Sequence, residues 1–499
     1  MFRRAIHKRR RLLRRSSYGE SNSNLRNSFA LRSKGRAREG EDAAAQSALA
    51  IASAAASVRG LMRAAPHVES EVSGWGRFPV ARSRVVCLDD WRTAGAVSGP
   101  RIARGAGRSY GDASFASGGM TLDVCPRDRF LEFDAATGRL SSEAGVTLAD
   151  VLGVIVPAGW FLPVTPGTKR VTLGGCVAAD VHGKNHPGAG SFARTLVALE
   201  MVLADGREVR CSATEWPELF WATCGGMGLT GLIRTVTLQL ERIASPLLDV
   251  QTFACRDLDE TLARFSETDC HLVAWLDCLS AGRRALVTRA RIAPESAETP
   301  AARKDQPRRV PCDAPSWLLN PASVRLYNAV HFHRERRHST PVRQTIDEFF
   351  YPLDRLDDWN RLYGRRGFIQ YQFAVPRETA REAIETALDE LPRAGQHIFL
   401  AVLKALGAEA GPLSFPRPGF TLALDLPMTG APLLSALDAL DERIAALGGR
   451  VYLAKDARMS AKWMPSMYPR LGEWLAVKRA VDPQNLFQSD LARRLGLLA

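Results

Sequence analysis

The chain has 499 residues, which predicts two or three domains, and its 46% hydrophobic and 24% charged residues exclude a fibrous or wholly disordered protein. The net charge of +14 is concentrated at one end, because residues 1–40 hold 13 Lys and Arg residues against Glu20 and Glu39. That excess of 11 leaves about +3 for the other 459 residues, which makes nucleic acid an unlikely partner.

The basic opening segment is rich in Ser and Asn and poor in aromatic residues, so it cannot bury enough surface to fold alone. We predict that residues 1–70 form a disordered basic tail and a linker. Three roles stay open for it: a solvated extension, contact with anionic lipid headgroups, or nucleic-acid binding. The alanine-rich stretch 43–62 contains Gln46 and Arg59 and is too polar to span a bilayer convincingly. It predicts a short surface helix or linker.

No other window offers about twenty uninterrupted apolar residues, so we expect a cytoplasmic protein that is soluble or peripheral at the inner membrane face. The nine cysteines include no C-x-x-C pair, which argues against a zinc site and a disulfide framework. Reduced, mostly buried thiols are expected, and no metal site is predicted.

In the first half of the chain, short apolar runs predict strands joined by tight turns, at 83–88, 120–125, 196–204, 207–211 and 232–240. Asp205-Gly206, between the third and fourth runs, is a strong hairpin signal. A short helix is predicted at 215–223. The glycine-rich run 225–231 that follows brings main chain close to a neighbour, either a ligand or simply another part of the fold.

After Ile243 the pattern becomes mixed. The polar stretch 293–311 predicts a mobile loop near a site. Helical periodicity predicts helices at 379–391 and 433–447, and apolar alternation between them predicts strands at 398–404 and 420–426.

Two glycine-punctuated segments, 103–112 and 165–185, carry most of the functional signal. Exposed backbone N–H groups in glycine turns form concave anion sites, which suits the diphosphate of a large cofactor. A Rossmann fingerprint fails, because Tyr110 stands where the third glycine belongs and no helix pattern follows. A Walker A loop fails too, because Asn185 follows Gly183-Lys184.

These residues match a known family. Segment 104–112, Thr165 to Thr168 with Leu173-Gly-Gly175, and run 225–231 resemble the FAD domain of the vanillyl-alcohol oxidase and p-cresol methylhydroxylase superfamily. Further motifs are similar to those of the decaprenylphosphoryl-β-D-ribose 2-oxidases: His182-Gly-Lys-Asn-His186, Gln370-Tyr-Gln-Phe373, Leu413-Ser-Phe-Pro416 and Ala454-Lys-Asp456. The resemblance runs from about Gly74 to Leu498.

The resemblance implies an α+β fold. Its FAD-binding domain, of the p-cresol methylhydroxylase (PCMH) type with two α/β subdomains, would cover 71–245. An antiparallel-sheet substrate domain would cover 246–449, and a C-terminal segment, 450–499, would return to the FAD domain.

The resemblance also implies which residues line FAD: Ala103, Arg104, Gly105, Ala106, Gly107, Arg108, Ser109, Tyr110, Gly111, Asp112, Ala113, Gly167, Thr172, Leu173, Gly174, Gly175, Ala179, Asp180, Val181, His182, Ile233 and Tyr452. Many relatives bond the flavin covalently through a histidine in the first glycine loop. Here that position is Arg108, and nearby Tyr110 is not a histidine either. We therefore expect tightly bound but noncovalent FAD.

Three residues are expected to be catalytic. Oxidation of a secondary alcohol sends a hydride to the flavin while a base or solvent accepts the hydroxyl proton. The resemblance implies that Lys455 lies over flavin and substrate. His182 is the candidate proton acceptor because its ordinary pKa is near 6.5, with a structural, hydrogen-bonded histidine as the alternative. Tyr110 is placed at the flavin edge.

The alternation of polar and apolar side chains along strands predicts a surface that contacts the substrate. Gln370 and Gln372 share one face of a strand, with Tyr371 on the other, and polar side chains amid apolar neighbours suit a sugar. A sheet face turned to water would give the same pattern. The full predicted set is Lys184, Gln370, Gln372, Lys404, Thr421, Asp425 and Lys455.

The resemblance implies a sugar oxidase that converts a secondary hydroxyl to a ketone, with decaprenylphosphoryl-ribose as the type substrate in arabinose-donor synthesis for cell-wall arabinan. A lipid-linked or free sugar is the expected partner. A short-chain NAD-dependent ketoreductase would complete the epimerisation, and the basic tail would contact the membrane. The alternatives are a soluble aldonolactone or alditol oxidase that uses oxygen, and a noncatalytic nucleic-acid-binding or scaffold protein.

Two positions depart from the family pattern. Ala423 replaces a cysteine of the mycobacterial enzymes, so covalent capture of thiol-reactive nitroaromatic inhibitors is not expected. In Phe349-Phe-Tyr-Pro-Leu-Asp354, relatives frequently have Tyr-His before the proline, which predicts an altered contact at the rim of the site.

Overall fold

A computed structural model describes residues 67–91, 97, 99–280, 282–294, 307–315, 317–336 and 340–498. Its first sheet holds β1 (His67–Ser73), β2 (Val80–Cys87), β3 (Arg101–Arg104) and β4 (Met120–Asp123) in the order β1-β2-β4-β3. β1 and β2 are antiparallel, whereas β4 runs parallel to both β2 and β3. The first glycine segment begins in β3, so this sheet sets the start of the loop.

The second sheet has five antiparallel strands. They are β5 (Phe130–Asp134), β6 (Arg139–Glu143), β8 (Leu196–Val202), β9 (Glu208–Cys211) and β10 (Leu232–Gln239), in the order β5-β6-β10-β8-β9. The β8–β9 pairing confirms the hairpin predicted at Asp205-Gly206. A separate pair joins β7 (Trp160–Phe161) to β11 (Glu241–Arg242).

Four short helices belong to the same half of the chain. They are α1 (Leu148–Ile155), α2 (Leu173–Ala178), α3 (His186–Ala189) and α4 (Pro217–Thr223). α4 confirms the helix predicted at 215–223. α1 begins with a capping box, in which Thr147 and Asp150 satisfy each other's backbone N–H groups.

The third sheet has eight strands with antiparallel pairings throughout. They are β12 (Leu247–Cys255), β13 (His271–Leu276), β14 (Ala285–Ile292), β16 (Val342–Thr345), β18 (Phe368–Val375), β19 (Leu400–Leu406), β20 (Gly419–Pro427) and β21 (Arg450–Val451). Their order is β16-β12-β14-β13-β19-β20-β18-β21. β19 and β20 confirm the predicted strands. A short parallel pair, β15 (Arg308–Arg309) with β17 (Leu356–Asp357), lies outside this sheet.

Helices of the second half pack against both faces of this sheet or continue the chain after it. They are α5 (Leu258–Ala263), α6 (Pro321–Glu335), α7 (Ile346–Phe350), α8 (Ala380–Arg393), α9 (Ala431–Ala446), α10 (Met464–Met467), α11 (Leu471–Val481) and α12 (Asp490–Leu495). α8 and α9 confirm the two predicted helices. Tyr371 of β18 points toward α9, where its hydroxyl donates to Asp441 at 2.9 Å.

The C-terminal segment contacts the glycine-bearing half of the fold. Trp474 of α11 donates its Nε1–H to the carbonyl of Ala222 in α4 at 2.9 Å. The backbone N–H of Arg101 donates to Leu486 at 2.7 Å. The mixed α/β character is therefore clear, whereas the two FAD subdomains and the domain boundaries stay predictions.

Several other predictions concern features outside the three sheets. Residues 1–66 of the predicted tail and linker, including stretch 43–62, lie outside the described residues, as does 295–306 of the predicted loop. Residues 67–70 lie in β1, so the ordered chain begins a few residues earlier than predicted. All nine cysteines are free thiols and five are buried, as expected. None of the described helices combines the length and apolarity needed to cross a bilayer.

Candidate active site

The site is a cavity of about 530 Å³ between the two glycine segments and the polar face of the eight-stranded sheet. Its volume falls within the usual range for small-molecule and cofactor pockets. The C-terminal segment closes one side through Tyr452, Ala454 and Lys455.

The glycine segments meet each other at Gly105 and Thr172. A Cβ atom at position 105 would lie 2.1 Å from the Thr172 hydroxyl oxygen, so only glycine fits there. Thr172 is the N-cap of α2, and its hydroxyl accepts the N–H of Gly175 at 3.3 Å. Gly107 has a φ of +65°, the left-handed conformation that glycine adopts without strain. The two segments thus form one continuous backbone wall.

Most residues predicted to line FAD contribute to this cavity wall. They are Ala103, Gly105, Ala106, Gly107, Arg108, Ser109, Tyr110, Ala113, Gly167, Thr172, Gly174, Gly175, Ala179, Val181, His182, Ile233 and Tyr452. The sequence therefore brings two distant segments to one surface, as the resemblance implies.

Five predicted residues lie behind the wall instead: Arg104, Gly111, Asp112, Leu173 and Asp180. Arg104 turns away from the cavity because its guanidinium donates to the Ser114 hydroxyl at 2.9 Å. Asp112 pairs with Arg494 of α12 at 2.7 Å. Both side chains brace the loop against neighbouring structure.

The other three of these five are held by packing or local geometry. A Cβ at Gly111 would lie 1.8 Å from the carbonyl oxygen of Asp456, so glycine permits close contact with the C-terminal segment. Leu173 is fully buried in the apolar core. Asp180, at a φ of +40°, accepts a hydrogen bond from the Ser414 hydroxyl at 2.5 Å.

Two observations test whether a flavin nucleotide fits this wall. Gly167 has open space where a Cβ would stand, although its backbone lines the cavity. The Nδ1 atom of His182 is buried in the wall and has no hydrogen-bond partner among the described residues. A close backbone approach and an unpaired polar atom both suit a bulky polar guest. The residues present fit FAD.

The opposite wall carries the predicted substrate residues. Lys184, Gln370, Gln372, Lys404, Thr421 and Lys455 all line the cavity. The strand register explains the grouping, because Lys404 pairs with Thr421 across β19–β20 and Gln372 pairs with Ala423 across β18–β20. The alternation of side chains along β18 thus correctly predicted that Gln370 and Gln372 lie on one face, with Tyr371 on the other.

Asp425 differs from its prediction as a cavity residue. It lies outside the cavity lining and supports Gln370 instead, accepting the amide Nε2–H of that residue at 2.5 Å. The hydroxyl of Tyr363 donates to its other oxygen at 3.2 Å. Burial raises the pKa of Asp425 to about 6, against the opposing effect of these hydrogen bonds and of Lys455.

Three half-buried lysines that line the cavity give it its electrostatic character. Burial lowers the pKa of Lys455 to about 7 and that of Lys184 to about 7, with Lys404 adding repulsion to both. Burial alone lowers the pKa of Lys404 to about 8. Near neutral pH, Lys455 is therefore divided between its charged and neutral forms.

Lys455 lies directly over Tyr110. Its Nζ is 3.5 Å from the ring centroid, close enough for a cation–π contact when the amine is charged. Burial raises the pKa of Tyr110 well above 10, so its hydroxyl stays protonated and acts as a hydrogen-bond donor.

His182 is held by Gln372, whose amide nitrogen lies 3.1 Å from His182 Nε2 and 3.1 Å from the Thr421 hydroxyl. Burial and the nearby Lys404 lower the pKa of His182 well below 6.5. The imidazole is therefore neutral at pH 7 and a weak base. This argues against its predicted role as proton acceptor and favours the structural alternative.

The two departures from the family pattern both lie at the cavity. Ala423 lines it, so this wall presents a methyl group rather than a thiol. Phe350 lines it as well, while Phe349 contacts Lys184 through a carbonyl that accepts the ammonium hydrogen and a ring 3.9 Å from Nζ. At this rim of the cavity, Lys184 is therefore held by Phe349 and Phe350.

Sequence reasoning missed several aromatic and histidine residues of the cavity: Trp75, Trp275, Tyr327, His331 and Trp359. Trp75 stacks with Arg108, whose guanidinium carbon is 3.9 Å from the indole centroid. Tyr327 and His331 come from α6, whose start is marked in the sequence by Asn320-Pro321, a cap followed by proline at N1.

Comparison with known proteins also indicates a flavin-binding protein. A family model described as "FAD binding domain" matches residues 88–212. The decaprenylphosphoryl-β-D-ribose oxidase of Mycolicibacterium smegmatis is 36% identical over 458 residues, which cover 87% of this chain and 99% of that protein. The chain belongs to the decaprenylphosphoryl-β-D-ribose oxidase family of PCMH-type FAD flavoproteins. It is an FAD-dependent oxidoreductase.

Two further relatives match much of the chain or a short part of it. The L-gulonolactone oxidase of Bos taurus is 25% identical over 403 residues, which cover 77% of this chain and 86% of that protein. The Δ24-sterol reductase of Homo sapiens is 35% identical over only 102 residues, 20% of each chain. Within the decaprenylphosphoryl-β-D-ribose oxidase family, this chain matches nearly the full length of the mycobacterial member.

Proposed function

We propose that this protein oxidises a secondary hydroxyl of a sugar carried on a polyprenyl phosphate to a ketone. The observation that carries the proposal is that two different sets of residues face each other across one cavity. Backbone of the glycine segments lines one side of the cavity, and Gln370, Gln372, Thr421 and Lys404 line the other. Amide and hydroxyl groups recognise sugar hydroxyls, and a lysine recognises a phosphate. The name of the mycobacterial relative supplies the substrate class.

FAD, when bound, supplies the hydride acceptor for the carbon–hydrogen bond. Residues 103–113 and 167–182 would hold it, with backbone N–H groups of the glycine turns facing the diphosphate. We propose noncovalent attachment, because Arg108 offers no nucleophilic ring nitrogen and stacks against Trp75 instead.

Lys455 is the proposed proton acceptor. Its pKa of about 7 leaves a neutral amine available at neutral pH, and it lines the cavity beside Gln370 and Gln372. A proton moving from the sugar hydroxyl to Lys455 Nζ restores a cation close to Asp425. The neutral Tyr110 hydroxyl and the neutral His182 ring are proposed as fixed hydrogen-bonding groups that orient the reactants.

Lys184 and Lys404 are proposed to bind the substrate phosphate. Burying amines without a counter-ion is costly, and an anionic ligand offsets that cost. A phosphodiester between sugar and lipid meets this requirement, whereas a free neutral sugar does not. The ketone product would then need a hydride donor to return to an alcohol of inverted configuration, which is the reaction class of a short-chain NAD-dependent ketoreductase.

Anaerobic bleaching of the flavin tests the proposal. A polyprenyl-phosphate pentose with a short, water-soluble lipid chain is expected to bleach the flavin band in a single turnover, while the free pentose bleaches it far more slowly. Equal bleaching by the free sugar would remove the phosphate requirement. No bleaching by any sugar, with flavin bound, would remove the proposed function.

A soluble aldonolactone oxidase is the second candidate, favoured by the similarity to the bovine L-gulonolactone oxidase over 77% of this chain. It predicts bleaching by aldonolactones and rapid reoxidation by oxygen. Stopped-flow mixing of the reduced protein with oxygen and, separately, with a soluble quinone distinguishes the two readings.

A further inference from the structure

An exposed apolar surface lies on helix α6 and on the turn before it. It consists of Trp317, Leu318, Leu326, Tyr327 and Val330, here called the α6 patch. Trp317 is 72% exposed, Leu326 is 68% exposed and Val330 is 60% exposed. Clustered exposure of large apolar side chains on a soluble fold marks an interaction surface.

The opposite side of α6 fixes the orientation of the patch. Val324, Asn328 and Phe332 recur every four residues and are buried, so they form the inward stripe. Asn328 donates its amide N–H to Asp277 at 2.8 Å, and the guanidinium of Arg284 lies 4.3 Å from the Phe332 ring centroid. The helix cannot turn its apolar patch inward without breaking these contacts.

The turn that carries Trp317 is tied to the helix start. Asn320 donates its side-chain N–H to the Trp317 carbonyl at 2.8 Å, and the Ser323 hydroxyl donates to the Leu318 carbonyl at 2.7 Å. These two hydrogen bonds hold the turn against the first turn of α6.

The patch is continuous with the active-site cavity. Tyr327 belongs to both, because its ring is exposed on α6 and also lines the cavity. It stacks on His331, with ring centroids 5.8 Å apart and planes 8° apart, and His331 contacts Trp275 at 4.8 Å. A molecule seated on the patch therefore adjoins the cavity.

Cations surround the apolar residues. Arg325, Arg334 and Arg336 are exposed on α6 or at its end, and Arg334 pairs with the half-buried Glu335 at 3.4 Å. Tryptophan and tyrosine at the boundary of an apolar face, flanked by arginines, are typical of helices that lie on anionic bilayers. The charge and the aromatic content both match a lipid surface.

We propose that the α6 patch seats on the surface of an anionic lipid bilayer, with Trp317, Leu326 and Val330 inserted at the headgroup boundary. This rests on the proposed function, since it lets the lipid chain of a substrate stay in the bilayer while its sugar enters the cavity past Tyr327. A second copy of the chain and a partner protein are the competing occupants.

Vesicle sedimentation of the full-length chain tests whether the α6 patch binds the bilayer. The patch variant carries Trp317→Ser, Leu326→Gln and Val330→Gln. Its matched control carries Val68→Gln, Val80→Gln and Leu131→Gln, at positions 58%, 59% and 52% exposed on other elements. Because three apolar side chains leave the interface, we expect the patch variant to bind phosphatidylcholine–phosphatidylglycerol vesicles at least about tenfold more weakly. The control should bind like the wild type.

Fluorescence quenching locates the contact independently of the basic tail, which all variants keep. Vesicles of phosphatidylglycerol and brominated phosphatidylcholine should quench the wild type and the Trp216→Phe variant equally, whereas Trp317→Phe should lose part of that quenching. Equal vesicle binding by the patch variant, or quenching unchanged by Trp317→Phe, overturns the proposal. A wild-type dimer that the patch variant dissociates, without any vesicle contact at Trp317, assigns the surface to a second copy and also overturns it.

Flavin bleaching with the short-chain substrate separates this proposal from the proposed function. None of the three substituted patch residues lines the cavity, so the bleaching rate should be unchanged in the patch variant. If no variant shows flavin bleaching while vesicle binding still depends on the patch, the proposed oxidation of a lipid-linked sugar is wrong. The same result supports the contact between the α6 patch and the bilayer.

Discussion

Lys455 Nζ lies 3.5 Å from the centroid of the Tyr110 ring, and the backbone N–H of Tyr110 donates to the carbonyl of Ala454 at 2.9 Å. One residue comes from the first glycine segment and the other from the C-terminal segment. The contact places a half-buried amine of lowered pKa beside the backbone wall that fits a flavin. Proton transfer at this amine is the first property to test.

We predict that the rate of anaerobic flavin reduction rises with pH through about 7, because neutral Lys455 accepts the hydroxyl proton. Lys455→Gln should slow reduction by roughly 10²- to 10⁴-fold and abolish the rise with pH. Stopped-flow absorbance across a pH series measures both effects.

Two lysines serve as controls for the Lys455 profile. Lys184 has a similar pKa of about 7, so Lys184→Gln should weaken substrate binding while keeping the rise of the limiting rate with pH. The exposed Lys462→Gln should leave the profile unchanged. If the rise of the reduction rate with pH persists in Lys455→Gln and disappears in Lys184→Gln, Lys184 rather than Lys455 is the proton acceptor.

Gly167→Phe should prevent flavin binding without unfolding the protein. Its Cβ meets open space within the cavity wall, so a phenyl group there fills the cavity rather than the core. The purified variant should lack the absorption bands of oxidised flavin and keep a wild-type far-UV circular dichroism spectrum. Gly472→Phe, also with open space at its Cβ but on the exposed side of α11, should keep its flavin.

Acid precipitation should release the flavin from the wild-type protein, because Arg108 cannot form a histidyl bond. Yellow colour in the supernatant is the expected result, and colour retained in the washed pellet contradicts noncovalent attachment. The Arg108→Ala variant should also release its flavin, with weaker retention during gel filtration because the side chain stacked on Trp75 is missing from the cavity wall.

Lys478→Met should lower the free energy of unfolding by about 3–5 kcal/mol, since it leaves the Asp482 carboxylate buried without its cation. Both side chains are fully buried and their charged atoms are 2.5 Å apart. Urea unfolding in excess FAD measures the loss. The exposed Lys462→Met serves as the matched control, and a Lys478→Met protein as stable as that control would contradict the prediction.

The sequence was most informative where local chemistry decides the structure. Alternation on β18 correctly placed Gln370 and Gln372 on one face, because side-chain direction in a strand follows from a period of two. The hairpin at Asp205-Gly206 and the helix α4 were predicted for equally local reasons. Glycine spacing marked the backbone wall of the cavity because only glycine permits contacts such as that of Gly105 with Thr172.

The remaining features depend on tertiary packing, which no local pattern reports. Asp425 shares a strand face with Thr421, yet the amide of Gln370 covers it. The lowered pKa of His182 comes from burial and from lysines distant in sequence. Tyr327 and His331 reach the cavity because α6 packs over β14, a placement that its cap and proline at Asn320-Pro321 do not specify.

The pairing of β21 with β18, together with the Tyr110–Ala454 hydrogen bond, has a consequence for biosynthesis. Translation makes the first glycine segment, 103–112, more than three hundred residues before Lys455. The amine and the phenol ring cannot meet until the ribosome has passed position 455. A premature stop codon shortly before position 450 would therefore spare both glycine segments while removing Lys455.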